Sequence, residues 1–315
     1  MDESPFHQGE QIIQQQLGVR EKMEHAGRRG IRGYMPEQHR EFFPQLPFVV
    51  VGSVDDNGQP WASLLCGSPG FVESPDPVHL LVHAAPDEYD PLHYLLGDGS
   101  MIGMLGIQLH TRRRNRLNGR VTARNENGFA IEALQSFGNC PKYIQARLCA
   151  YDTATPANSI RVAVDNKLDD MMQNIIRQSD MFFIATSHPD AGSASDGMRR
   201  PQHGVDVSHR GGKPGFVNIT DNVLTVPDYV GNFFFNTLGN LLLNPRAGLV
   251  FIDFMQGTLL HLAVAATIIH DDKMVAGYPG AQRLLQFVIK EARHVHRRLP
   301  LQWTGWELSP YLIDK

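Results

Sequence analysis

Cysteine is scarce in this chain. Only Cys66, Cys140 and Cys149 occur in 315 residues. They cannot all pair within one chain and show no CxxC spacing, so neither a disulfide framework nor a structural zinc site is expected. Long apolar runs are also missing; none approaches the roughly 18 to 20 residues that a membrane-spanning helix needs. Neither sign of charge is in large excess. With 29 Lys and Arg against 33 Asp and Glu, the formal net charge is −4, which gives no general attraction to nucleic acid or anionic lipid. The opening stretch "MDESPFHQGEQIIQQQLG" lacks the basic start and apolar segment of a secretory signal, and a cytoplasmic protein is expected. No G-x-S-x-G elbow, P-loop or G-x-G-x-x-G fingerprint occurs, which lowers the hydrolase, nucleotidase and Rossmann readings.

What is present is an ordinary globular composition, 42% hydrophobic and 20% charged, in a chain long enough for two domains or one doubled domain. The same order of patterns occurs twice. A short helix, "EQHREFFPQL", leads into the apolar strand "FVVVGSV", the turn "DDNGQP", "WASLLC", "VHLLV", a helical piece near "PLHYLL", and the strands "IGMLGIQL" and "RNRLNGRVT". From Lys167 the order recurs. Leu168, Met171, Met172, Ile175 and Ile176 have helical spacing, and "MFFIATS", "HRGGKP", "GFVNIT", "VLTVP", "GLVFIDF" and "LLHLAVAAT" follow. This argues for an internal duplication. Each copy holds five or six short strands with no room for crossover helices, which predicts two tandem antiparallel barrels in a mainly β chain with flanking helices. The expected division is an N-terminal arm (1–36), a first repeat (37–121), a connector (122–166), a second repeat (167–273) and a C-terminal tail (274–315). The tail is expected to carry a helix over "GAQRLLQFVIKEARHVHRR".

Within the second copy, "TLGNLLLNPRAGLVFIDF" changes character halfway. Leucines at helical spacing give way at Asn244-Pro245 to a buried strand, with Gly248 allowing close approach to another backbone. "DVSHRGGKPG" gathers Ser208, His209, Arg210 and Lys213 around two glycines, a composition suited to wrapping an anion or simply to an exposed hairpin loop. In "HTRRRNRLNGR" a strand would put Arg112, Arg114 and Arg116 on one face and Arg113 on the other. Without interleaved aromatics this reads first as a solvated strand, and second as a contact with an anionic group. Cys140 reads as packing at a turn. His188, His203 and His209 with Asp190 and Asp206 match no common ligand spacing, and His294 and His296 lie two apart in the expected helix, so no metal is expected.

"FVVVGSVDDNGQPWASLL" resembles the opening hairpin of the pyridoxamine 5'-phosphate oxidase-like, FMN-binding split-barrel superfamily. "HRGGKPGFVNI" repeats it, and "NTLGNLLLNPRAGLVFIDF" is similar to that superfamily's phosphate-binding helix and the strand after it. The likeness covers most of residues 37 to 270 and is nearest to a two-repeat branch with "GNCPKYIQ" between the barrels. It implies FMN held with its phosphate at the helix N-terminus, where free N–H groups and the helix dipole favour an anion. The implied cofactor residues are Ser208, His209, Arg210, Lys213, Asn232, Asn236, Thr237 and Asn240. Asn236 and Thr237 stand where the family usually has Arg and Lys, so positive charge is expected from Arg210 or Lys213. The first repeat, with an acidic turn, is expected to lend a wall. The resemblance implies an FMN-dependent oxidoreductase acting on a small molecule, with NADH or NADPH as candidate reductant and a homodimer as candidate assembly. No catalytic acid or base stands out. The alternatives are a carrier of flavin or haem and a structural barrel pair that binds nothing.

Overall fold

The computed structural model describes residues 3–154, 162–192, 200–296 and 298–312. Helices α1 (Gln8–Gln16), α2 (Arg20–Gly30) and α3 (Glu37–Arg40) precede the first sheet. That sheet holds β1 (Phe48–Val54), β2 (Pro60–Cys66), β3 (Val72–Glu73), β4 (His79–Val82), β5 (Met101–Gln108), β6 (Arg113–Asn125) and β7 (Gly128–Gly138). Strands β8 (Ala146–Tyr151) and β9 (Val162–Asp165) and helix α4 (Asp170–Gln178) follow. The second sheet holds β10 (Met181–Ser187), β11 (Val205–Gly211), β12 (Asn218–Thr220), β13 (Val223–Tyr229), β14 (Arg246–Asp253), β15 (Thr258–Ile269) and β16 (Ala281–Val295). Helix α5 (Asn236–Leu243) lies between β13 and β14, α6 (Asp272–Val275) follows β15, and β17 (Leu301–Glu307) pairs with β8.

The first sheet runs β2-β1-β5-β6-β7-β4-β3 and the second β11-β10-β14-β15-β16-β13-β12, with β9 added beside β16. Strand for strand the two orders are the same, and every pairing is antiparallel. Their registers also correspond: Val50 pairs with Leu64 and Leu105 as Phe183 pairs with His209 and Val250.

The two sheets press together through β1, β2 and β5 on one side and β10, β11 and β14 on the other, which explains why their strands are apolar without alternation. Val49 and Val51 enter the first barrel's core while Phe48 and Val50 enter the layer between the barrels. Phe182 and Ile184 fill the second core while Met181, Phe183 and Ala185 meet that shared layer. Strands buried on both faces lose the period-2 signal. The approach is close enough to need glycine: a Cβ on Gly103 would stand 2.5 Å from the Val205 carbonyl oxygen, and one on Gly248 2.5 Å from that of Pro60. These two contacts are mates under a pseudo-two-fold axis, the arrangement of an isologous dimer built within one chain.

Several expectations need correction. Ala281–Val295 is a strand, not a helix. Its Gln, Lys, Glu, Arg and Leu residues favour a helix locally, but Leu285, Phe287 and Ile289 alternate inward between β13 and β15, and tertiary pairing overrides propensity. His294 and His296 consequently share a side, with rings 3.8 Å apart. The sheets run past the expected ends at 121 and 273, since β7 and β16 belong to them. The "PLHYLL" segment is a run of turns rather than a helix. Met171 is exposed, whereas Leu168, Met172, Ile175 and Ile176 are buried. The N-terminal arm is docked: α1, capped by His7 and Glu10 reciprocally, lies against α5 and puts Ile13 into the second barrel's core. Among the described residues, no helix is long and apolar enough to cross a membrane.

Candidate functional site

The turn from helix to strand in the second copy builds one wall of a pocket between the barrels. Helix α5 starts without a side-chain cap, because its N-cap, Phe235, has no polar side-chain atom; that residue also sits in the left-handed region at φ 64°. Phe233, two residues earlier, has φ 63°. Non-glycine residues rarely adopt this conformation, and surrounding structure must hold them there. The holding bonds come from outside the loop: Asn232 donates to Asn139 Oδ1 at 3.1 Å, Gln14 to the Phe234 carbonyl at 3.1 Å, and the Tyr143 hydroxyl to the Val230 carbonyl at 3.1 Å. The result places the start of α5, through Asn236, Thr237 and Leu238, on the lining of a hollow between the barrels.

The opposite wall comes from the first barrel. Arg114 and Arg116 project from β6, and Asn139 and Cys140 follow β7. Arg116 is buried and well anchored. One of its terminal nitrogens stands 3.3 Å from Asp206 Oδ1 and 3.2 Å from Asn236 Oδ1, and the other donates to the Ser208 hydroxyl, which is 2.9 Å from that of Thr237. Asp206 is held in turn by Asn118 at 2.8 Å and Asn240 at 3.0 Å. Arg114 donates through Nε to the Cys140 carbonyl at 2.8 Å. On the second-barrel side, Arg210 donates to Asp228, whose other oxygen lies 3.7 Å from Arg283.

Four guanidinium groups thus stand against the two carboxylates of Asp206 and Asp228. Burial raises the Glu10 carboxyl well above its usual range, with Asp206 adding to the shift. Burial lowers Arg116 to about 10, and it remains a cation at neutral pH. Burial, reinforced by Arg114 and Arg210, holds His209 well below the ordinary imidazole range and keeps it neutral. Arg116 Nε, Arg210 Nε, His209 Nε2 and Asn139 Nδ2 are all buried without a hydrogen-bond partner among the described residues. Unpaired polar atoms of this kind are costly unless a ligand satisfies them. These four residues line one hollow whose positive charge suits a phosphate-bearing group.

Of the residues read from the sequence, Ser208, His209, Arg210, Asn232, Asn236 and Thr237 line this hollow together. Asn240 lies buried beneath it, bonded to Asp206 and Thr186. Lys213 is exposed and lines a separate hollow with Phe216, Tyr229 and Leu312. The arginine strand is where the sequence misled: Arg112 sits in a turn at φ 57°, Arg113 covers the Phe42 ring at 4.4 Å, and Arg114 and Arg116 face the pocket rather than solvent. The i, i+2 spacing of Arg114 and Arg116 was the available signal. Cys140 also lines the pocket, beside Arg114.

The pseudo-two-fold axis creates a second hollow with different chemistry. By register, Ser63 matches Ser208, Leu65 matches Arg210, Leu259 matches Arg114 and His261 matches Arg116. The mate pocket is lined by Leu64, Leu65, Leu259, Leu299, His261 and Asp90, among others. Ser63 bonds His261 Nε2 at 3.1 Å and donates to Asp90. Among the described residues no arginine lines it, and burial raises Asp90 to about 7 and lowers His261 to about 3.

Residues 35–146, spanning the first barrel, match the family model described as pyridoxamine 5'-phosphate oxidase. No curated protein matches the chain. Similar solved structures include a Lactobacillus delbrueckii protein assigned as a pyridoxamine 5'-phosphate oxidase, with 18% identity over 41% of this chain and 94% of that one, at a TM-score of 0.31. HupZ of Group A Streptococcus has 11% identity over 44% and 99%, at 0.29. A FAD-binding protein of Mesorhizobium loti has 13% identity over 43% and 97%, at 0.27. Over residues 35–146 the chain is thus similar to the pyridoxamine 5'-phosphate oxidase family, and the second copy repeats the strand order of that matched copy.

Proposed function

We propose that the chain binds FMN in the arginine-lined pocket between its barrels and acts as an FMN-dependent oxidoreductase on a small molecule, with NADH or NADPH as reductant. The observation that carries this reading is the set of buried, unpartnered donors on Arg116, Arg210, His209 and Asn139 around the uncapped start of α5. Arg116 and Arg210 would hold the phosphate dianion, each aimed by its carboxylate partner, and the α5 N–H groups would complete its hydrogen bonds. Phe233, Phe235 and Tyr229 supply the aromatic part of the lining. Bound flavin would supply the hydride and electron chemistry. The pocket's own groups contribute orientation and positive charge, with His209 as a neutral imidazole.

The test is an absorption spectrum of the purified protein, followed by heat release and chromatography of any yellow ligand. Released FMN, or tight uptake of added FMN with weaker uptake of riboflavin, supports the reading. A colourless protein that refuses added FMN sinks it. Reduction by NADH or NADPH and reoxidation by a substrate then separates an enzyme from a carrier. A Soret band would instead reveal haem, the carrier's alternative ligand.

A further inference from the structure

The hollow that mates with the arginine-lined pocket is formed by β2, β15, the end of β16 and the segment after β4. Leu64, Leu65, Leu259, Val295 and Leu299 give it apolar walls, and the space between them is ≈ 160 Å³. An apolar cavity of about 150 Å³ accommodates a molecule the size of benzene.

The charge in this lining is of one sign. Asp87 and Asp90 belong to it, and among the described residues no lysine or arginine joins them. The Asp90 side chain is only 10% exposed. Its Oδ1 accepts the backbone N–H of Leu92 at 2.8 Å, and its Oδ2 accepts the Ser63 hydroxyl. A carboxylate oxygen can take two hydrogen bonds, so Asp90 keeps acceptor capacity on the wall of the hollow. His261 Nε2 lies 4.0 Å from Asp90 Oδ2, but burial lowers this imidazole to about 3 and it brings no positive charge. Arg293 acts on Asp90 electrostatically from outside the lining, where it reaches Glu291 at 2.9 Å and covers the Trp61 ring at 5.5 Å. Burial, reinforced by Asp87, raises Asp90 to about 7 even so. This is the behaviour of a carboxylate short of a counter-charge.

We propose that this hollow is a ligand site in its own right, for a small primary amine with an apolar body, whose ammonium group pairs with the Asp90 carboxylate while the body lies between the leucines. A cation beside a buried carboxylate forms charge-assisted hydrogen bonds, and apolar walls with one or two placed polar groups are the usual make-up of a small-molecule site. The same carboxylates turn away anions such as the FMN phosphate. The site is independent of the flavin reading, since none of its lining residues lines the arginine pocket. The two mates would sort ligands by the sign of their charge.

Benzylamine is a suitable probe, with benzyl alcohol and benzoate as its neutral and anionic counterparts, each titrated calorimetrically into full-length protein at neutral pH. Benzylamine should bind once per chain and at least about tenfold more tightly than benzyl alcohol, with benzoate weaker than either. Saturating FMN should leave its affinity unchanged. Asp90→Asn keeps the side-chain shape and should erase the preference for amine over alcohol in a protein that circular dichroism shows to be folded. Leu65→Arg, which sets a cation in the hollow and leaves Asp90 in place, should abolish amine binding. Equal affinities of the wild type for benzylamine and benzyl alcohol would overturn the proposal. So would displacement of benzylamine by FMN, or an amine preference that survives in folded Asp90→Asn or Leu65→Arg.

Discussion

The chemistry of the arginine-lined pocket reduces to a few side chains whose charge is held in place by others. Arg116→Gln keeps a hydrogen-bonding group beside Asp206 but removes the cation. It should weaken FMN by about 10- to 100-fold, the range for a charge-assisted hydrogen bond, while leaving riboflavin nearly unaffected in the same fluorescence titration. Equal losses for both ligands would remove Arg116 from the phosphate. Thr237→Glu, which sets a negative charge at the start of α5, should abolish FMN retention in a folded protein. Lys213→Ala should weaken FMN less than Arg116→Gln, because Lys213 lines the neighbouring hollow. In the mate pocket, His261 provides a pH test. Burial lowers it to about 3, so below the ordinary value near 6.5 the unfolded chain binds a proton that the folded chain refuses. Its contribution to stability is intact above pH 6.5 and is lost on acidification toward 3, at up to about 1.4 kcal/mol per pH unit. Asp90, raised to about 7, works in the opposite direction, losing stability as pH rises from the carboxylate range. His261→Gln should therefore flatten the acid limb of a melting-temperature profile relative to wild type. An unaltered limb would contradict the buried neutral imidazole.

Elements, rather than single residues, decide whether the pocket exists at all. The start of α5 is usable because the N-terminal arm supports the helix from behind. A Cβ on Gly239 would stand 2.6 Å from the backbone nitrogen of Glu10 and 2.8 Å from its Cα. Gly239→Ala should push α1 away at a cost of about 1–3 kcal/mol, read as a lower melting temperature and faster proteolysis within residues 3–30. An unchanged melting curve and digestion pattern would mean that the arm does not brace the pocket. At this scale much of the fold was legible in the sequence. α4, α5, the switch at Asn244-Pro245 and most strands followed from local periodicity and from where proline and glycine fall. β16 was not legible, because its residues favour a helix and only its neighbours β13 and β15 make it a strand. The pocket was half legible. Its second-barrel wall follows a hairpin and a helix start close together in sequence. The other wall, Arg114, Arg116, Asn139 and Cys140, depends on how two barrels dock, which no local pattern encodes.

The whole molecule is a dimer-like pair joined into one chain, and its two interfacial hollows have diverged. Where one has Arg114, Arg116 and Arg210, the other has Leu259, His261 and Leu65, with Asp90 nearby. Calorimetric titration should therefore find one FMN per chain, eliminated by pocket substitutions such as Thr237→Glu. A second phosphate-dependent site would contradict this asymmetry. The join has a further consequence for heredity. In a pair of identical chains every mutation is imposed on both halves of the interface, so a change that helps one cavity must be tolerated by its twin. Tandem copies in one gene remove that obligation. Ser63 and Ser208 still occupy matching positions, while the residues facing them differ in charge and in size.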